Sequence, residues 1–253
     1  MTVHVEHVMG MAVSIDVADP PLGLLDEIVA WLHHVDRVFS PYLQDSVVTR
    51  LGRGEVDPVT VTDEVLDVLL RCDDLRTETG GVFDPWKVPT VNGTTFDPSG
   101  FVKGWAVERA AAIVDRAGVR DCCINAGGDV ALRGERAPGR PWRVGIRHPD
   151  QPAQVVAVVE ASGPFAVATS ATYERGSHIL DPRTGEATTE FASATVVGPD
   201  LATADAYATT LFVLGVDGLD WLGTVGGGAY GGYVVTHDGD GWSNDEFERH
   251  RRR

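Results

Sequence analysis

The chain has 253 residues, 43% of them hydrophobic and 23% charged, enough to bury one substantial core. Its formal net charge of −16 excludes a general nucleic-acid binder, because affinity for a phosphate backbone requires a basic face. The same acidity requires that any anionic ligand be neutralised locally, by a cation, backbone N–H groups or a few basic side chains.

Residues 3–17 alternate polar and apolar side chains as a strand does, with Met9 and Gly10 marking a bulge or a close approach. They contain no basic segment followed by a long apolar one, so they are not read as a signal peptide. Residues 22–39 place Leu25, Ile28, Val29, Leu32 and Val35 on one helical stripe, which Ser40 and Pro41 break. Thr62 is suited to cap a second helix, led by Val65, Leu66, Leu69 and Leu70 and ending near Gly80 and Gly81. The prolines and glycines of 83–100 exclude long regular structure, and a third helix is expected over 102–117.

Strands are then expected at 121–125, 130–133, 142–147, 155–160, 166–169, 192–197 and 233–236. A helix over 202–214 and a shorter one near Leu219 interrupt them, and GGGAYGG (226–232) reads as a turn. No repeat or linker divides the chain. The expected fold class is α+β, a single domain over 1–253 with a mixed or antiparallel sheet flanked by helices and a flexible basic tail from 248. No stretch reaches the ~18 apolar residues that span a bilayer. Cys72, Cys122 and Cys123 make a poor disulfide framework and fit a reducing compartment. The expected setting is cytoplasmic, with no membrane anchor.

Several segments carry chemistry. In SGFVKGWAVERA (99–110), Gly100 and Gly104 allow close backbone approach, Lys103 adds a cation, and the helix start favours anions; a plain loop-to-helix junction has the same composition. INAGGDVALRG (124–134) sets two glycines and Asp129 after an apolar strand, as a ligand-hugging turn or as an ordinary two-residue hairpin. Asp205 and Thr209 lie one helical turn apart, on one face. They suit two oxygen ligands of a hard cation that keeps other positions for water and phosphate, or else an exposed acid and a back-bonded threonine. His178, before the turn DPRTG, is either a proton relay or a surface residue, and Ser170 and Thr172 are small hydroxyls suited to line a pocket.

Taken in order, the MG of the first strand, FSPYLQDSVVTRL (39–51), GVFDP (81–85), GFVKGWAVERA, INAGGDV, PWRVGIRHP (141–149), ATSATYERGSHILDPRTG (168–185) and DAYATTLFVLG (205–215) resemble the ApbE family of FAD:protein FMN transferases. The resemblance runs from Met9 to about Gly215 and implies a T-fold-related architecture. It implies FAD as substrate and Mg²⁺, or Mn²⁺ in its place, as the cation. The implied reaction transfers FMN to a Thr or Ser hydroxyl of an acceptor protein and releases AMP. Alternatives are an FAD pyrophosphatase giving FMN and AMP, and a non-catalytic FAD-binding protein. By the same resemblance Gly100, Asp205 and Thr209 are the metal ligands, and Met9, Ser46, Asp84, Lys103, Glu108, Asp129 and His178 fall at or beside flavin-contacting positions. His178 and Asp205 are the catalytic candidates, and His178 is favoured as base if Asp205 holds the metal. Two departures from the family pattern stand out: Met11 replaces the usual Thr after MG, and FDPSGFV precedes KGWAVE.

Overall fold

The computed structural model describes residues 1–151, 153–171 and 179–252. Its centre is an eight-stranded sheet in which every neighbouring pair is antiparallel. In chain order the first four strands are β1 (Thr2–Val8), β2 (Met11–Val17), β3 (Cys122–Ala126) and β4 (Asp129–Arg133). A separate two-stranded hairpin follows, β5 (Trp142–Arg147) with β6 (Val155–Ala161). The large sheet continues with β7 (Phe165–Ala171), β8 (Ser193–Gly198), β9 (Gly231–Val235) and β10 (Gly241–Ser243), in spatial order β1-β2-β3-β4-β7-β8-β9-β10.

The helices are α1 (Leu24–Phe39), α2 (Val47–Gly52), α3 (Asp63–Glu78), α4 (Ser99–Arg116), α5 (Leu201–Leu214), α6 (Asp217–Leu222) and α7 (Asp245–His250). The strands carry two apolar faces because each is covered. Val13, Ile15, Ile124, Ala131, Ala168, Ala194 and Val196 pack with residues of α1, α4 and α5. On the opposite face Val130, Leu132, Val167, Val197 and Val235 pack with Trp142, Ile146 and Val159 of the small hairpin and with Phe247 of α7. With both faces covered, β4 and β8 are buried at every position, and neither shows the polar-apolar alternation of a half-exposed strand. α5 is buried on nearly all sides, and its alanines at 202, 204, 206 and 208 let it lie close to both α4 and the sheet.

Residues 3–17 are not one strand. Met9 and Gly10 form a two-residue hairpin loop between β1 and β2, with Val8 paired to Met11 and φ of 55° and 73°, both positive as a type I′ turn requires. Alternation persisted through the loop, which hid the reversal. Gly127 and Gly128 make the matching loop between β3 and β4, with φ of 61° and 101° and Ala126 paired to Asp129. Because β2 and β3 are paired neighbours, both loops emerge at one end of the sheet.

Part of the basic run lies in regular structure. Residues 245–250 form α7, the N–H of Arg252 donates to the Val158 carbonyl at 2.8 Å, and the Arg251 guanidinium sits 5.2 Å from the Tyr233 ring centroid. Phe247 is fully buried and stacks on Tyr233 at 5.1 Å. α2, β10 and α7 had no strong pattern in the sequence, since each is six residues or shorter.

Candidate active site

The crossing of α4 and α5 builds the centre of the site. Gly104 lies where α4 meets α5, and a Cβ added there would fall 2.5 Å from the Leu201 carbonyl oxygen and 2.8 Å from Asp205 Cβ. Glycine is therefore required at this position. With the helices this close, the Gly104 N–H donates to Asp205 Oδ2 at 2.8 Å. In a regular helix that N–H would serve the Gly100 carbonyl alone.

Lys103, the preceding residue, points its ammonium between two carboxylates. Nζ is 2.7 Å from Asp129 Oδ2 and 3.8 Å from Asp205 Oδ1. Asp129 starts β4 directly after the double-glycine loop and is fully buried; its Oδ1 accepts from the Thr169 N–H of β7 at 3.1 Å. Asp205 is also buried, and its carboxyl is held well above the ordinary range. Burial is the main cause and the Asp129 charge the second, against the opposing pull of Lys103 and the Gly104 N–H. Two buried carboxylates thus share one ammonium.

Thr209 follows one turn along α5. Its Oγ1 donates to the Asp205 carbonyl at 3.3 Å and lies 3.2 Å from Ser170 Oγ of β7. Gly100 faces it across the helix crossing: a Cβ there would be 3.3 Å from Thr209 Oγ1 and 3.3 Å from the Phe83 ring. Gly100, Lys103, Asp129, Asp205 and Thr209 therefore come together, although more than a hundred residues separate the first from the last. Among the described residues no three His, Cys, Asp or Glu side chains cluster so as to hold a metal. A cation here would take Asp205 together with neutral oxygens, the donor set of a hard ion such as Mg²⁺.

The other sequence candidates are placed less directly. Met9 occupies the hairpin loop at the sheet end that also carries the Gly127 loop, and Met11 Sδ lies 3.2 Å from where a Gly127 Cβ would be. Ser46 is buried as the N-cap of α2, accepting from the Thr49 N–H at 3.2 Å. Asp84 accepts from the Trp86 N–H at 3.1 Å and lies 3.6 Å from Lys87 Nζ, next in sequence to the Phe83 that lines Gly100. Glu108 is one turn beyond Gly104; it accepts from Leu201 N–H at 3.1 Å, tying down the start of α5, and pairs with Arg133. His178 and Thr172 lie outside the described residues.

Two contributors carried no distinct signal in the sequence: Thr169 acts through its backbone and Arg133 through a pairing formed across the fold with Glu108 and Asp115, while Gly104, singled out for close backbone approach, acts through a helix contact. The four-residue spacing of Gly100 and Gly104 was the one available sign of a close helix crossing. Two clefts of about 440 and 410 Å³, lined by Arg71 and Thr203 among others, lie along the helix layer. Thr203 and Tyr207 occupy the face of α5 opposite Asp205 and Thr209, so the 410 Å³ cleft that both line is separate from the charged cluster, whereas the 440 Å³ cleft is lined by Phe101, Trp105 and Glu108 of α4 and by Ala202 of α5.

A family model described as the ApbE family matches residues 9–98 and 88–228, and the chain belongs to that family. It is similar to the FAD:protein FMN transferase of Rhodobacter capsulatus, 33% identical over 211 residues, which cover 80% of this chain and 36% of that protein. It is also similar to the FAD:protein FMN transferase of Vibrio cholerae, 28% identical over 245 residues, 76% of this chain and 73% of that protein. The chain spans 36% and 44% of the length of the relatives from R. capsulatus and Klebsiella pneumoniae. Its fold matches the flavin transferase ApbE from V. cholerae with a TM-score of 0.85 at 24% identity, covering 98% of each chain. The ApbE protein from Thermotoga maritima gives a TM-score of 0.85 at 23% identity, covering 100% of this chain and 99% of that one. The expected α+β single domain is thus the fold observed, with a sheet that is antiparallel throughout its described pairings.

Proposed function

We infer that this chain is a flavin transferase that moves the FMN half of FAD to a Ser or Thr hydroxyl of an acceptor protein and releases AMP, with Mg²⁺ or Mn²⁺ as cofactor. The observation that carries the reading is the buried pair Asp129 and Asp205 sharing Lys103 at the α4–α5 crossing, in a chain of the ApbE family. With both carboxylates ionised the cluster holds one uncompensated negative charge, which burial makes costly and a divalent cation would offset. Asp205, Thr209 and the Gly100 carbonyl are the residues that would hold it. When bound, the cation supplies positive charge against the pyrophosphate and the departing AMP.

The chain's own groups then divide the remaining work. Lys103 holds Asp129 in place and offsets part of the negative charge of the two buried carboxylates. Met9 and Asp129 sit at the sheet end that carries both tight loops and would contact the flavin there, with Ser46, Asp84 and Glu108 holding α2, the turn after Phe83 and the start of α5. In the transfer the acceptor oxygen bonds to the FMN phosphorus, the pyrophosphate P–O bond breaks, and AMP leaves with the electron pair. The hydroxyl proton passes to a base, for which His178 is the candidate. The three free thiols, two of them buried, suit a cytoplasmic setting, and among the described residues no helix is long and apolar enough to cross a membrane.

The test is incubation with FAD and Mg²⁺, with and without a peptide bearing a Ser or Thr acceptor motif, read by mass spectrometry. A peptide heavier by FMN less water, together with free AMP, is expected. FMN and AMP beside an unmodified peptide would instead make the enzyme a pyrophosphatase, and intact FAD throughout would overturn both.

A further inference from the structure

Thr169 and Ser170 are consecutive residues of β7 that reach the two halves of the site from one strand. The Thr169 N–H holds Asp129, while the Ser170 hydroxyl meets Thr209. The direction of that second hydrogen bond follows from counting protons. Thr209 Oγ1 has a single proton, and its partner at 3.3 Å is the Asp205 carbonyl, which can only accept. Ser170 must then donate to Thr209. One lone pair of Thr209 Oγ1 accepts this bond and the other stays uncommitted, on an oxygen that lies close to Gly100 and has both of its protein partners fixed.

We propose that Ser170 is a positioning residue for the cation site, fixing the rotor of Thr209 so that its remaining lone pair is presented beside Asp205. The proposal rests on the reading of Asp205 and Thr209 as cation ligands. It assigns a role to a strand residue with no carboxylate, imidazole or charge, and it makes β7 a common support: its backbone anchors the Lys103–Asp129 pair and its next side chain orients α5. Without the Ser170 hydroxyl, the Thr209 proton could still bond Asp205, but the oxygen would lose the contact that holds it from the other side.

The test is Mn²⁺ binding at saturating FAD, read from the electron paramagnetic resonance of free Mn²⁺, for wild type, Asp205→Asn, Ser170→Ala and Ser170→Thr, with the melting temperature of each metal-free protein. Asp205→Asn is expected to abolish tight binding. Ser170→Ala should weaken it about five- to tenfold, the effect of one hydrogen bond, and Ser170→Thr, which keeps the hydroxyl, should restore it. If Asp205→Asn binds Mn²⁺ as wild type does, or wild type binds none, the cation reading itself is overturned. If Asp205→Asn fails while Ser170→Ala binds normally and only melts earlier, Ser170 is structural and the positioning role is overturned alone. A Ser170→Thr as weak as Ser170→Ala would also overturn it.

Discussion

The Gly104 N–H and the Asp205 carboxylate, 2.8 Å apart, tie α4 to α5 at the point where the two helices leave no room for a side chain. Gly104→Ala must push the Leu201 backbone away, because a Cβ at 2.5 Å from a carbonyl oxygen cannot be relieved by a rotamer change. The expected loss is about 2–3 kcal/mol of stability, as for overpacked cores. Denaturant unfolding would measure it, and FMN transfer should fall with it because Asp205 rides on the displaced helix. A stable, fully active Gly104→Ala would contradict the crossing.

Asp205→Asn separates folding from chemistry. Burial and the nearby Asp129 charge disfavour the ionised Asp205, while the amide oxygen of Asn still accepts from Gly104. The metal-free variant should melt at or above the wild-type temperature, and its FMN labelling should drop on the order of a hundredfold or more. A variant that melts well below wild type would mean that the ionised carboxylate stabilises the fold.

Cys72, Cys122 and Cys123 are each pushed up to about 12 from 9.0 by burial. A raised acid keeps its proton longer in the folded chain than in the unfolded one. The thiols' contribution to stability is therefore intact below about 9 and is lost as pH rises toward about 12. At pH 8 an alkylating reagent should spare the buried Cys72 and Cys122 in native protein, react only slowly with the partly buried Cys123, and modify all three after denaturation. Rapid native labelling of Cys72 or Cys122 would show that it is exposed.

Phe247→Ala removes a fully buried ring that stacks on Tyr233 and closes the second core. The expected cost is about 3–5 kcal/mol, typical of a large-to-small change at such a site. The charged cluster packs on the other face of the sheet, so folded Phe247→Ala protein should still bind FAD. Thermal unfolding followed beside flavin binding would show the two effects apart.

How much of this was legible beforehand differs by element. The stripe from Leu25 to Val35 gives α1 to within two residues of its start, since one face of that helix is wet and the period of its apolar residues survives. α5 was legible by composition and by the Asp205–Thr209 spacing, though its burial on all sides erases the stripe. The Met9 hairpin was hidden because alternation ran through its loop, and α2 was hidden because its cap at Ser46 begins only six residues of helix.

The sequence by itself determined the family and the class of elements, and it singled out the acids, the lysine and the glycines proposed for the site, because those depend on residue type and on spacing along one helix or one turn. Only the tertiary structure decided that Lys103 bridges Asp129 and Asp205, that Gly104 is a contact as well as a flexible joint, and that Thr169 and Ser170 anchor both halves of the cluster. The physical reason is range. Local patterning records which face of an element is buried, whereas a charge pairing or a helix crossing is fixed by backbones far apart in the chain, brought together when the sheet and the helix layer close on a common core.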